Sequence, residues 1–194
     1  MSYEPLHEIP LPEEIRAAIP LPKELAAIKQ ERDRIIRDIF ERRDDRFLLI
    51  IGPCSADRED AVCEYITRLA RLQERVSDQL ILIPRIYTNK PRTTGTGYKG
   101  MMHQPDPHKK PNISAGIKAI RSMHIRALRE TGLSAADEML YPGNAPYLED
   151  LLSYNAIGAR SVENQQHRLT ASALDVPVGM KNPTSGDMAV MFNA

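Results

Sequence analysis

Residues 47–51, Phe-Leu-Leu-Ile-Ile, form an unbroken apolar run between the charged stretch Arg42-Arg43-Asp44-Asp45-Arg46 and the turn-forming pair Gly52-Pro53. With no polar alternation, the run suits a strand buried on both faces, as in a parallel sheet. Similar short runs recur at 80–87, 135–140, 156–160 and 176–181. Between them lie segments with helical spacing. The stretch 59–75 turns Val62, Ile66, Leu69 and Leu72 to one side, and 113–131 ends at Gly132, a residue suited to closing a helix. Shorter helices are expected at 144–153 and 163–173, and the first turns of another at 187–194. Strands alternating with helices predict an α/β fold with right-handed crossovers between parallel strands.

An open doubly wound sheet and a (β/α)8 barrel both begin in this way. Two observations favour the barrel. Cys54, Arg85, Glu138, Arg160 and Lys181 all fall at or just beyond the C-terminal end of an expected strand, where barrel active sites assemble. No GxGxxG sequence follows the first strand, which weakens a dinucleotide-binding reading. Residues 1–45 stand apart as an arm and a helix. The arm repeats IPLPEEI as IPLPKEL, and 22–43 carries Leu25, Ile28, Ile35, Ile36 and Ile39 near one helical face. The barrel domain is then expected over 46–194.

Lys and Arg balance Asp and Glu at 26 each, so no global field points to nucleic acid or an anionic membrane. No apolar run is long enough to span a bilayer, and the N-terminus lacks the basic and apolar regions of a secretory signal. The two cysteines, Cys54 and Cys63, form no CxxC pair, which favours a reducing, cytoplasmic setting.

Against that neutral background, the strand ends and the long loop 88–112 gather Arg85, Lys90, Arg92, Lys99, Arg160 and Lys181. Each could be an ordinary solvated cation. Together at one rim they call for phosphate or carboxylate groups, which arginine forks and lysine point charges bind. Cys54 could ligate a divalent metal, act as a nucleophile, or pack as a small apolar residue. Cys63, inside a helix, reads as core. His7, His103, His108, His124 and His167 show no metal-binding spacing with Cys54, and His167 could pair with Glu163 on a helix surface. Glu138 ends an otherwise apolar strand. It could order a water, steady a lysine, or partner Arg160.

Several motifs, in order, resemble one family. They are Leu49-Ile50-Ile51-Gly52-Pro53-Cys54-Ser55, Arg85-Ile86-Tyr87 with Lys90-Pro91-Arg92-Thr93-Thr94, and Gly97-Tyr98-Lys99-Gly100. Gly158-Ala159-Arg160-Ser161-Val162-Glu163 and Pro177-Val178-Gly179-Met180-Lys181-Asn182 complete the set. The chain resembles the N-terminal part of the type I 3-deoxy-D-arabino-heptulosonate 7-phosphate (DAHP) synthases, also called phospho-2-dehydro-3-deoxyheptonate aldolases. The related octulosonate synthases share the barrel, but the KPRTT loop is similar to the heptulosonate group. The resemblance implies condensation of phosphoenolpyruvate with D-erythrose 4-phosphate, the entry to the shikimate route. It implies that Arg85, Lys90, Arg160 and Lys181 hold phosphoenolpyruvate, with Lys90 and Lys181 near the reacting atoms. Arg92 and Thr93 would hold the aldose phosphate, Lys99 would also bind substrate, and Glu138 would position water. Cys54 would be one ligand of a divalent metal (Mn, Fe, Co or Zn), which the family completes with residues from later strands. An aromatic amino-acid inhibitor and a homo-oligomer, both involving the arm, are further implications.

A full barrel needs about 250 residues and eight strands, whereas about 150 residues follow the arm here. The expected architecture is therefore an incomplete barrel of about five βα units, with open edges at the first and fifth strands and an incomplete metal site. If 194 residues are all there is in the cell, little or no synthase turnover is expected. Two other readings stay open: a non-catalytic phosphoenolpyruvate-binding or regulatory protein, and another phosphosugar-metabolising barrel.

Overall fold

The computed structural model describes residues 8–92 and 94–194. His7 and Thr93 lie outside the described residues. Helices α1 (Pro12–Ala18) and α2 (Lys23–Phe40) precede the alternating part. That part runs β1 (Phe47–Ile51), α3 (Glu59–Val76), β2 (Leu80–Pro84), α4 (Ile113–Thr131), β3 (Ala135–Glu138), β4 (Leu152–Ile157), α5 (Gln165–Ser172), β5 (Val178–Met180) and α6 (Met188–Phe192). A 3₁₀ turn, Pro142–Tyr147, links β3 to β4.

All named strand pairs are parallel. β1 lies on β2 in register from Phe47 opposite Leu80 to Ile51 opposite Pro84. β4 pairs with β3 on one side and β5 on the other. The two groups meet where Arg85 bridges Ala136 and the Ile86 amide donates to the Ala136 carbonyl at 2.8 Å. Spatial order thus follows chain order, 1-2-3-4-5. A doubly wound sheet reverses direction at a switch point, and these strands do not.

The two-residue period of a strand sorts the side chains between two faces. On the outer face, Leu82 and Ile86 pack with Val62, Ile66 and Leu69 of α3 and with Ile117, Ile120 and Leu128 of α4. On the inner face, Ile81, Ile83, Tyr87, Ala136 and Ala156 gather round Ile36 of α2. The N-terminal helix therefore seals the inner face at its apolar end.

Several boundaries differ from those expected. The fourth strand begins at Leu152 rather than 156, and the expected helix 144–153 is only the 3₁₀ turn, with Pro146 inside it. Proline removes a helical donor and clashes with the preceding turn, so an α-helix does not propagate there. β1 is not buried on both faces: Phe47 is 68 % exposed and the rest are half-buried. Among the described residues β1 pairs only with β2, so its other edge stays open. α4 matches its expected limits because both ends are chemically marked. Asn112 caps the start by accepting from the Ala115 amide at 2.9 Å, and Gly132 ends it with φ of 67°.

Within α4, Gly116 is packed against the backbone carbonyl of Met102, which a Cβ would overlap. In an exposed helix Gly→Ala stabilises by about 1 kcal/mol. Gly116→Ala should instead destabilise by about 1–3 kcal/mol, because the obstacle is backbone and not a movable side chain. A shift of the denaturant midpoint to higher concentration would refute this.

Candidate functional site

The inner-face register that carries the apolar residues continues past the strand ends, and there its chemistry changes. Ile81 and Ile83 are followed by Arg85 and Tyr87, and Ala136 by Glu138. The same rim receives Lys181 after β5 and Cys54 after β1.

The Arg85 guanidinium carbon lies 4.1 Å from the Tyr87 ring centroid, and the Lys181 ammonium 5.2 Å from it. The face of one phenol therefore carries two cations, at a distance where the ring quadrupole attracts them. Burial pushes the Tyr87 hydroxyl up to about 12, so it stays neutral. Lys181 donates to Glu138 Oε2 at 3.3 Å, so the carboxylate and the ammonium face one another at the rim. Gly158 leaves room for this carboxylate: a Cβ at 158 would overlap Glu138 Oε1.

The chain after β1 is drawn to the rim by the Ala56 amide, which donates to the Tyr87 carbonyl at 2.7 Å. Cys54 is exposed, and its sulfur accepts a hydrogen bond from the Lys90 ammonium. That bond chiefly holds the Cys54 thiol below its ordinary range, and the charges of Lys90 and Arg85 add to it against partial burial. Cys63 behaves oppositely: buried in α3, its thiol is pushed up to about 11.

The structure thus sets Arg85 and Lys181 on Tyr87, Glu138 against Lys181, and Lys90 against Cys54, with Cys54 within electrostatic reach of Arg85 and Glu138. Arg92 is exposed, with its Nε donating to the Tyr98 carbonyl at 2.8 Å inside the loop. Lys99 has an exposed side chain, and its carbonyl accepts from the Lys90 amide at 2.9 Å. Arg160 is exposed in the turn after β4.

The histidines are structural where buried. His124 sits in the core, and burial lowers its ring to about 3. His167 does not pair with Glu163 on the surface. It is 8 % exposed, with its ring nitrogens against Asn164 Oδ1 and the Leu140 carbonyl. Its ring turns inward because Asn164 caps α5 at that point.

Two residues escaped sequence reasoning. Tyr87 is the platform beneath the cations, and its place two residues after Arg85 on the same face was a usable signal. Asp137 is the other. It is 4 % exposed and receives hydrogen bonds from the Thr88 amide at 2.9 Å, the Thr88 hydroxyl, and the Glu138 amide at 2.7 Å.

Burial pushes the Asp137 carboxyl from 3.8 up to about 7, against the pull of those donors. Between these values the folded protein binds the proton that the unfolded chain has released. The stability that Asp137 contributes is therefore present below about pH 4 and is lost as pH rises through about 7. Urea unfolding followed from pH 4 to pH 8 should show this decline, and Asp137→Asn should remove that part of the slope. An unchanged slope in the variant would contradict the assignment.

The sequence profile of the DAHP synthetase I family matches residues 22–193. The chain belongs to that family. It is 44 % identical over 184 residues to the Tyr-sensitive phospho-2-dehydro-3-deoxyheptonate aldolase of Salmonella typhimurium, covering 94 % of this chain and 51 % of that protein. Over 161 residues it is 42 % identical to the Phe-sensitive enzyme of Escherichia coli (strain K12), covering 83 % and 45 % respectively. A solved phospho-2-dehydro-3-deoxyheptonate aldolase from Francisella tularensis SCHU S4 superposes with a TM-score of 0.91 at 33 % identity, covering all of this chain and 55 % of that one. The chain spans about half the length of the curated relatives it matches. No helix among the described residues is long and apolar enough to cross a membrane.

Proposed function

We propose that this chain forms the phosphoenolpyruvate-binding wall of a (β/α)8 barrel that condenses phosphoenolpyruvate with D-erythrose 4-phosphate. The products are 3-deoxy-D-arabino-heptulosonate 7-phosphate and phosphate, at the entry to aromatic amino-acid synthesis. The observation that carries this reading is the pairing of Arg85 and Lys181 on Tyr87, beside Lys90 and Glu138, at the C-terminal ends of strands laid down in chain order.

Phosphoenolpyruvate carries a phosphate and a carboxylate on adjacent atoms. Arg85, Lys90, Arg160 and Lys181 supply the opposing charges, and holding them on a rigid rim offsets the repulsion when a second phosphate arrives. Arg92, Thr93 and Lys99 receive the aldose phosphate from the loop. Lys90 and Lys181 lie nearest the reacting atoms, and Glu138 holds Lys181 and orders the attacking water.

The family's divalent metal (Mn, Fe, Co or Zn) would act as a Lewis acid on the aldehyde. Cys54 is one donor for it. Among the described residues no group of three or more His, Cys, Asp or Glu gathers around a possible ion, so the donors present do not make a divalent site.

The relatives named Tyr-sensitive and Phe-sensitive support an aromatic amino acid as inhibitor of this protein too. We assign the arm and helix, 1–45, to oligomer contact and regulation, residues 46–194 to the barrel, and the protein to the cytoplasm as a homo-oligomer.

Titration calorimetry with phosphoenolpyruvate on the purified chain tests the reading. Saturable binding that is lost in Arg85→Ala supports it. A folded chain that binds none, or a variant that binds as well as the parent, overturns it. An accompanying assay with both substrates and Mn²⁺ separates binding from turnover.

A further inference from the structure

Loop 88–102 carries Lys90, Arg92 and Lys99, yet its base is pinned by a residue on another strand. Thr88 is fully buried. Its amide and its hydroxyl both donate to Asp137, and its carbonyl accepts from the Met102 amide at 3.2 Å. Two residues on, the Lys90 amide donates to the Lys99 carbonyl at 2.9 Å. The loop therefore leaves the sheet as a closed ribbon whose first rung is anchored at Asp137. Lys90 follows that anchor after the buried Asn89, and its ammonium reaches Cys54 just after β1. The same carboxylate also accepts from the Glu138 amide, so the residue that holds Lys181 is tied to the same point.

We propose that Asp137 is a positioning residue, whose carboxylate clamps Thr88 at the root of the loop and thereby sets Lys90 against Cys54. The Thr88 and Glu138 amides converge on Oδ1, and the Thr88 hydroxyl meets Oδ2, where it donates to a carboxylate and can accept from a carboxylic acid. A buried carboxyl is costly to keep, and a fully hydrogen-bonded one gives the rigidity that a distant side chain needs. The inference concerns the placement of Lys90 and stands whether or not the chain binds phosphoenolpyruvate.

The test reads that placement directly. Succinimidyl iodoacetate is a short cross-linker joining an amine to a thiol, and at pH 8 in chelator it should link Lys90 to Cys54 in the parent chain. Yield is read by mass spectrometry and normalised to the alkylation of Cys54 by iodoacetamide, so that thiol reactivity cancels. Asp137→Ala and Thr88→Val should lower the normalised yield by about threefold or more, since a loss of anchoring near 1 Å is enough to misplace a functional side chain. Thr88→Ser, which keeps both donors, should restore the parent yield. Thr88→Val conserves volume and carries the test if the alanine variant fails to fold. A role confined to stability would lower the unfolding midpoint but leave the folded protein's cross-link unchanged. Unchanged yield in folded Thr88→Val, or an equal loss in Thr88→Ser, overturns the proposal.

Discussion

Arg121→Met should destabilise the fold by about 2–4 kcal/mol, because two backbone carbonyls lose their donor and Asp150, whose side chain is 32 % exposed, loses its ion-pair partner. Arg121 is completely buried in α4. Its guanidinium makes two contacts to Asp150, at 2.6 and 2.7 Å. It also donates to the Ile19 carbonyl at 2.6 Å and the Tyr147 carbonyl at 3.0 Å. One side chain therefore joins the arm after α1, the outer helix and the turn before β4. Methionine fills much of the volume but leaves two carbonyls and a carboxylate without donors. Chemical denaturation is the measurement, and a midpoint within about 0.5 kcal/mol of the parent, the range of an ordinary surface change, would exclude the role. Arg121→Met with Asp150→Ala should recover part of the loss, because the stranded carboxylate is gone.

The second large effect concerns binding. On the reading proposed above, Lys181→Met should weaken phosphoenolpyruvate binding by about 30-fold, since a hydrogen bond to a charged group contributes roughly 1.5–3 kcal/mol. The same change leaves Glu138 facing the bound anion without its lysine, which adds repulsion to the lost attraction. Lys118→Met, which removes an exposed cation from the outer helix, should leave affinity unchanged. Calorimetry on the three proteins decides the matter. Equal weakening in both variants would point to net charge rather than to this site.

Much of the candidate site was legible because a strand has a period of two. Once Ile81 and Ile83 are taken as inward, Arg85 must be inward as well, and Ala136 leads in the same way to Glu138. The helices with marked ends were equally clear, as α4 shows with Asn112 and Gly132. The link between β3 and β4 was not. Its composition permits a helix, but Pro146 and the packing of Tyr147 against the chain near Pro10 allow only a 3₁₀ turn. β4 then begins earlier than its apolar content suggests, because Ser153 and Asn155 are buried polar residues. Ser153 is satisfied by Asp33 of α2 and by Ser134, partners distant in sequence.

By itself the sequence determined the alternation of strands and helices, the family, and the row of charged residues at the strand ends. Those follow from local periodicity and from motifs read along the chain. Only the tertiary structure decided which partner each polar residue takes: Lys90 with Cys54, Lys181 with Glu138, and Thr88 with the unforeseen Asp137. It also showed β1 half-exposed where an apolar run suggested full burial. The physical reason is the same in each case. Hydrogen-bond geometry and burial depend on which strands lie side by side, and neighbours in space are far apart in the chain.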